Sequence, residues 1–336
     1  MKHEKWTEKK VPEWSEQLKY NPVPSLLNSK NAAISYFAEC DFLENRKEPV
    51  EKLWELPEAK KLLAKQQKDG SWKYPSAKLK IRSQEDYDLL ETFRILGVLV
   101  EQYGLTREHP ALKNAAEFMF KFQTEEGDLR GIFGNQYTPY YTAAIMELLI
   151  KAGYDKDTRI EAGFHWLLNM RQNDGGWAIP VRTLQGKNSL TLMEAIKKPE
   201  PVMPDRSKPF SHLVTGVVLR AFAAHPEYRN NLQAIRAGGL LKSRFFQPDK
   251  YPDRKASSFW TGFSHPFWFT DLLSSLDSLS HLGFSREDKG IRKALDWFVE
   301  RQERNGLWNL KMLRTKDRDL PLWLALAILR VFQRFR

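Results

Sequence analysis

The chain has 336 residues, 42% apolar and 28% charged, with 18 Gly, 18 Pro and a single Cys. These proportions exclude collagen-like, low-complexity and disordered chains, and one cysteine excludes a disulfide framework or a cysteine-based zinc site within the chain. Lys and Arg outnumber Asp and Glu by 11 but are dispersed, with no helix-turn-helix, zinc-finger or ribonucleoprotein motif, so nucleic acid is not an expected partner and smaller anions, polyuronates or lipid headgroups are.

Met1 to Lys10 is charged and lacks the apolar stretch of a secretory signal, which makes a cytoplasmic chain the expectation. The longest apolar run, Leu320 to Leu329, is interrupted by Pro321 and is too short to span a bilayer. Residues 1–24 read as an N-terminal extension in which Trp6, Trp14 and Leu18 could pack across a seam, and residues 25–336 as one all-α domain with a long insertion at 178–209.

Along that domain one phrase recurs: LLAKQQKDGSW from Leu62, FMFKFQTEEGDL from Phe118, WLLNMRQNDGGW from Trp166 and WFVERQERNGLW from Trp297. Each is predicted to end a helix. Gln67, Gln123, Gln172 and Gln302 close the helical spacing, and Gly70, Gly127, Gly175 and Gly306 supply the positive φ of a helix stop. Trp72, Leu129, Trp177 and Trp308 follow, placed to fold back over the helix end while the Gln amide meets orphaned carbonyls. A worn copy lies at Ala234 to Phe246.

Between these helices lies a second, more apolar set: Ala32 to Leu43, Leu89 to Tyr103, Thr142 to Gly153, Leu213 to Ala224, Asp271 to Gly283 and Leu322 to Phe335. Helices without a broad polar face belong inside other helices. Six inner helices alternating with outer ones predict a closed ring of helical hairpins, an (α/α)6 toroid.

The Gln-Gly-Trp ending after an aromatic-apolar helix resembles the QW motif of the prenyltransferase and squalene-oxidosqualene cyclase superfamily, whose domains are α/α toroids. The resemblance runs from about Ile34 to the C-terminus and implies a central cavity for a polyprenyl or triterpene chain, with no cofactor. It does not carry the family's chemistry with it. Terpene cyclases of this kind protonate an alkene with the Asp of a D-x-D-D motif, and this chain has Asp86-Tyr87-Asp88 followed by Leu89. Asp86 and Asp88 are candidate acids, although helix capping is the simpler explanation of them. The zinc ligands of protein prenyltransferases and the Cys-Gly-Glu-Gln of thioester domains are missing, so no metal is expected, and Cys40 reads as a small buried side chain.

The inner helices should begin at one mouth, where the sequence places Tyr137, Tyr140, Tyr141, Trp260, Phe267, Trp268 and Trp323 as candidate substrate contacts. Aromatic faces there could hold a carbocation or a sugar ring, or simply pack. Among them lie the titratable candidates His212, His265, Asp271 and Asp319, with His265 in a Gly- and Pro-bounded aromatic loop and Asp271 opening an inner helix. Leu190 to Lys197 could form an amphipathic helix resting on the mouth or on a membrane surface. Three functions stay open: a terpene-cyclase-like protein, a carbohydrate-active barrel using two facing carboxyls on an acidic polysaccharide, and a non-catalytic binding toroid.

Overall fold

The computed structural model describes residues 16–43, 48–75, 83–184, 186, 189–313 and 317–335; Trp6 and Trp14 lie outside them. The helices in chain order are α1 (Val23–Leu27), α2 (Ala32–Phe42), α3 (Pro57–Leu63), α4 (Gln84–Tyr103), α5 (Pro110–Phe120), α6 (Pro139–Leu149), α7 (Thr158–Asn169), α8 (Pro180–Thr183), α9 (Leu192–Ile196), α10 (His212–Ala224), α11 (Leu232–Ser243), α12 (Leu272–His281), α13 (Lys289–Glu300) and α14 (Leu320–Arg334). Strand among the described residues is limited to β1 (Ile132–Asn135) and the short parallel pair β2 (Gly262–Phe263) and β3 (Lys311–Met312).

Six helices close on themselves. α2 packs on α4, α4 on α6, α6 on α10, α10 on α12, α12 on α14, and α14 returns to α2. Outside this ring α5, α7, α11 and α13 each lie against the inner helix that precedes them, α3 lies against α4, and α1 touches both α2 and α14. Sequence dictates the two layers. α10 is buried from His212 through Ala223, whereas α13 buries only the stripe Ile291, Ala294, Leu295 and Phe298 and turns its charges to water. Short polar caps start the inner helices, with Asn31, Ser83, Ser211 and Asp271 accepting from the first free N–H groups of α2, α4, α10 and α12.

The repeated turns share one geometry. Gly70, Gly127, Gly175 and Gly306 have φ of +93°, +101°, +99° and +82°, and Trp72, Trp177 and Trp308 fold back so that each indole N–H donates to the carbonyl ten residues earlier, at 2.8, 2.7 and 2.9 Å. The glutamine assignment needs two corrections. Gln66, not Gln67, donates to the Gly70 carbonyl and on to Ala111 O, as Gln123 does to Gly127 and Arg159 and Gln302 to Gly306 and Tyr20. Arg171 holds the equivalent place in the third turn, so Gln172 is one residue late and donates instead to Asp205 and Lys208 of the 178–209 insertion. The apolar spacing alone leaves this one-residue ambiguity, because both neighbours are polar.

Candidate functional site

The centre of the ring is filled by its own chain. From β2, the segment Ser264 to Phe269 dips among the inner helices before Asp271 opens α12. Trp268 meets Phe93 of α4 edge to face at 5.5 Å, and a Cβ on Gly97 would stand 2.8 Å from its ring, so α4 needs glycine there to admit it. The Tyr140 hydroxyl donates to the Trp268 carbonyl; Tyr140 touches Tyr141 at 5.0 Å, and Tyr141 touches Phe93 at 6.1 Å. His265 stacks on Trp323 at 5.1 Å with the rings 2° apart, and lies 6.0 Å from Phe267. The cavity left between Phe93, Gly97, Leu148, Arg220, Phe267 and Trp268 is about 10 Å³, roughly the space for one water. The sequence led to an aromatic-lined central cavity; the aromatic lining is present, but Phe267 and Trp268 occupy the room it was expected to leave. Larger hollows of about 530 and 540 Å³ are open dishes on the outside, lined mainly by charged residues and remote from this aromatic group.

Asp271 is the acid nearest to this loop in sequence and among the most enclosed. It is 1% exposed; one carboxylate oxygen accepts from Ser274 N at 2.8 Å, and the other, Oδ2, has no hydrogen-bond partner among the described residues. Burial pushes its carboxyl up to about 7, although the Ser274 bonds and the Arg220 and Arg254 guanidiniums pull the other way, so a neutral carboxylic acid persists near neutral pH. His265 is held neutral: burial, with Arg330 and Lys151 nearby, pushes it down to about 3. Burial likewise takes His212 down to about 4 and outweighs the attraction of Asp249, 3.7 Å away.

Beside the aromatic filling lies a charge set, buried at Glu147 and Arg220 and partly open to solvent at Lys151, that sequence inspection missed. Lys151 reaches Glu101 of α4 at 2.5 Å and Glu147 of α6 at 2.8 Å, and Glu147 also accepts from Arg220 Nε of α10 at 2.8 Å. Burial works against the Lys151 charge, but the two carboxylates prevail and raise its pKa above the ordinary value. Two further pairs bridge inner helices: Arg334 of α14 to Asp277 of α12, and Arg330 of α14 to Asp41 of α2 at 2.7 Å. The available signal was a single charged letter inside an apolar run, Arg220 within Leu213 to Ala224 being the clearest.

The structure brings together Tyr140, Tyr141, His265, Phe267, Trp268 and Trp323, with Asp271 following directly in chain, and adds Phe93 to them. The other candidates lie elsewhere. Asp86 closes a capping box with Ser83, and Asp88 accepts from Tyr74 N at 2.7 Å and Gln84 Nε2 at 2.8 Å. Asp319 accepts from Asn31 across the α14–α2 seam at 2.8 Å. Tyr137 turns to the outer rim, donating to Glu126 at 2.8 Å under the Arg130 guanidinium. His212 stacks on Trp260 at 4.5 Å, and the Trp260 indole donates to Gln247 O, in a separate buried cluster. Leu192 to Ile196 forms the short helix expected within the insertion, started by a Thr191–Glu194 capping box and packed on β1. Among the described residues no group of metal-ligating side chains is gathered and no helix is long and apolar enough to cross a membrane.

Comparison with known proteins finds solved structures that are similar over most of the chain, three of which follow. A variant of the type II terpene cyclase MstE from Scytonema shares 14% identity over 93% of this chain and 97% of its own, with a TM-score of 0.39. A second MstE variant, in complex with geranylgeranyl dihydroxybenzoate, shares 14% over 94% and 98% with a TM-score of 0.38, and a protein from Actinoplanes shares 15% over 85% and 87% with a TM-score of 0.37. No curated protein matches the chain. Residues 86–195, about a third of the chain, match the family model of the squalene-hopene cyclase C-terminal domain. Over that segment the resemblance to the prenyltransferase and squalene-oxidosqualene cyclase superfamily is shown, and the chain is squalene-cyclase-like there.

Proposed function

We propose that this terpene-cyclase-like ring takes an apolar ligand of the isoprenoid class into its mouth, by exchange with the side chains of Phe267 and Trp268, and that Asp271 is the acid that faces it. The observation that carries this is the convergence of Phe93, Tyr140, Tyr141, Phe267 and Trp268 beside a loop that ends on a buried, proton-retaining Asp271. Protonating an alkene requires a neutral carboxyl and a surround that tolerates positive charge, which aromatic faces supply. Asp86 and Asp88 are less suited, since both are only partly buried and both of their carboxylates accept hydrogen bonds, Asp86 in the capping box of α4 and Asp88 from Tyr74 N and Gln84 Nε2, whereas Asp271 is buried with Oδ2 unmatched among the described residues. Phe267 and Trp268 are only half-buried, so a ligand offering similar apolar area can compensate for displacing them. Binding without turnover is the second reading, favoured by the engagement of both D-x-D carboxylates in local structure. A carbohydrate-active barrel has less support, because Asp86, Asp88 and Asp319 each bond within the fold rather than standing free across a groove.

The test is mass spectrometry of an organic-solvent extract of the purified protein, followed by incubation with polyprenyl substrates and product analysis. An isoprenoid should co-purify or bind, and Asp271→Asn should lower product formation at least ~100-fold while Asp86→Asn and Asp88→Asn retain it. A bound isoprenoid without product would leave the binding reading alone. Failure to bind any isoprenoid would sink both.

A further inference from the structure

Resting on the function proposed above, we infer that the ring holds a polar subsite, formed by Arg220 and Ser275 beside Asp271, for a terminal oxyanion of the ligand, a carboxylate or a phosphate oxygen. The observation is a set of unmatched polar atoms on two adjoining inner helices. Arg220 of α10 is 4% exposed and lines the small central cavity; its Nε is bonded to Glu147, but its Nη1 has no hydrogen-bond partner among the described residues. Asp271 Oδ2 and the Ser275 hydroxyl, each on a residue 1% exposed, are also without partners among them. Asp271 and Ser275 are one helical turn apart and so share a face of α12, and α12 packs on α10. Asp271 and Arg220 are close enough to interact electrostatically.

Buried polar atoms are almost always paired, so three left over in one region of a core are an exception that calls for a ligand. Their chemistry is one-sided. The guanidinium N–H and the serine O–H are both donors, and an oxyanion is the acceptor that satisfies them together, while the Asp271 proton stays free for the alkene. The neighbouring charges do not oppose it. Glu101 and Glu147 are already matched by Lys151 and Arg220 within the same network, which leaves Nη1 as a spare donor on a cation. A neutral hydrocarbon would leave these atoms buried without relief. The ligand class is therefore an amphiphile: an apolar isoprenoid body against Phe93 and Tyr141, with an acidic head directed to α10 and α12.

The experiment is isothermal titration of the full chain with farnesoic acid, farnesyl monophosphate and farnesol, which share a body and differ in the head. At least one of the two anions should bind about tenfold or more tighter than the alcohol, the ratio expected for charge-assisted hydrogen bonds, and the pair tells carboxylate from phosphate. Arg220→Gln and Ser275→Ala should bring that ratio down toward one, by weakening the anions more than farnesol. Should Arg220→Gln fail to fold, Ser275→Ala, which deletes a hydroxyl that holds nothing, carries the test. Equal binding of acid, phosphate and alcohol overturns the subsite but leaves the isoprenoid function standing, and water then fills the donors' needs. A preference that survives both substitutions places the head elsewhere and also overturns it. Binding of none of the three removes the subsite together with the function on which it rests.

Discussion

At Asp271 two requirements of the fold oppose each other. The residue must cap α12, which favours a carboxylate, and it must do so at 1% exposure, which favours the acid; burial prevails and lifts the pKa to about 7. Because the folded value lies above the unfolded one, near 3.8, the unfolded chain sheds this proton first as pH rises. The stability linked to the neutral acid is therefore whole below about pH 4 and drains away up to about pH 7. Asp271→Asn keeps an oxygen for the Ser274 amide and removes the titration. Its melting temperature relative to the native chain should rise between pH 4.5 and 7.5, by the equivalent of up to ~3 kcal/mol, and calorimetry at three pH values checks this. A difference that stays constant with pH would mean that Asp271 is ionised throughout. His265 titrates with the opposite sign: its folded value near 3 lies below the usual 6.5, so its contribution is full above about pH 7 and is lost toward pH 3. Comparison at matched pH cancels it.

The helix-turn element is stitched to its neighbours by threonines that lie outside the repeated phrase. The backbone N–H groups of Trp72, Leu129 and Trp177 donate to Thr92, Thr142 and Thr215, at 2.9, 3.1 and 2.9 Å, and each Thr is fully buried on the next inner helix. Thr215→Val preserves shape and removes the acceptor, leaving the Trp177 N–H buried and unpaired. It should cost about 1–3 kcal/mol in urea unfolding, while Thr215→Ser should cost clearly less; a larger loss for Thr215→Ser than for Thr215→Val would show that the methyl group, not the hydrogen bond, matters. Sequence made the turns legible because glycine with positive φ and an aromatic two residues later are both local demands. It left Thr92, Thr142 and Thr215 hidden, because their partners are 20, 13 and 38 residues away, with no local signal at the threonine itself. The same limit explains the choice of Gln67 over Gln66, where either neighbour satisfies the helical spacing and only the contact with Ala111 decides.

For the whole molecule, periodicity was enough to foresee the ring, since six apolar helices alternating with five recognisable amphipathic neighbours have few other ways to bury themselves. What fills a ring is a matter of volume. Phe267 and Trp268 read as a mouth because they lie between elements; they turn inward because Gly97 leaves a slot in α4 and because the ring would otherwise enclose an empty space. Trp268→Ala separates the two consequences. Removing a half-buried indole from this centre should cost about 2–4 kcal/mol, less than a fully enclosed aromatic, because the site is open toward the mouth. If the indole occupies the place of the ligand, the same change should raise farnesol affinity about tenfold, since a cavity lined by Phe93, Leu148 and Phe267 then stands ready and no aromatic has to be displaced. Thermal unfolding and titration on one preparation report both numbers. A lower melting temperature with unchanged farnesol binding would make Trp268 core alone and move the ligand out of the ring.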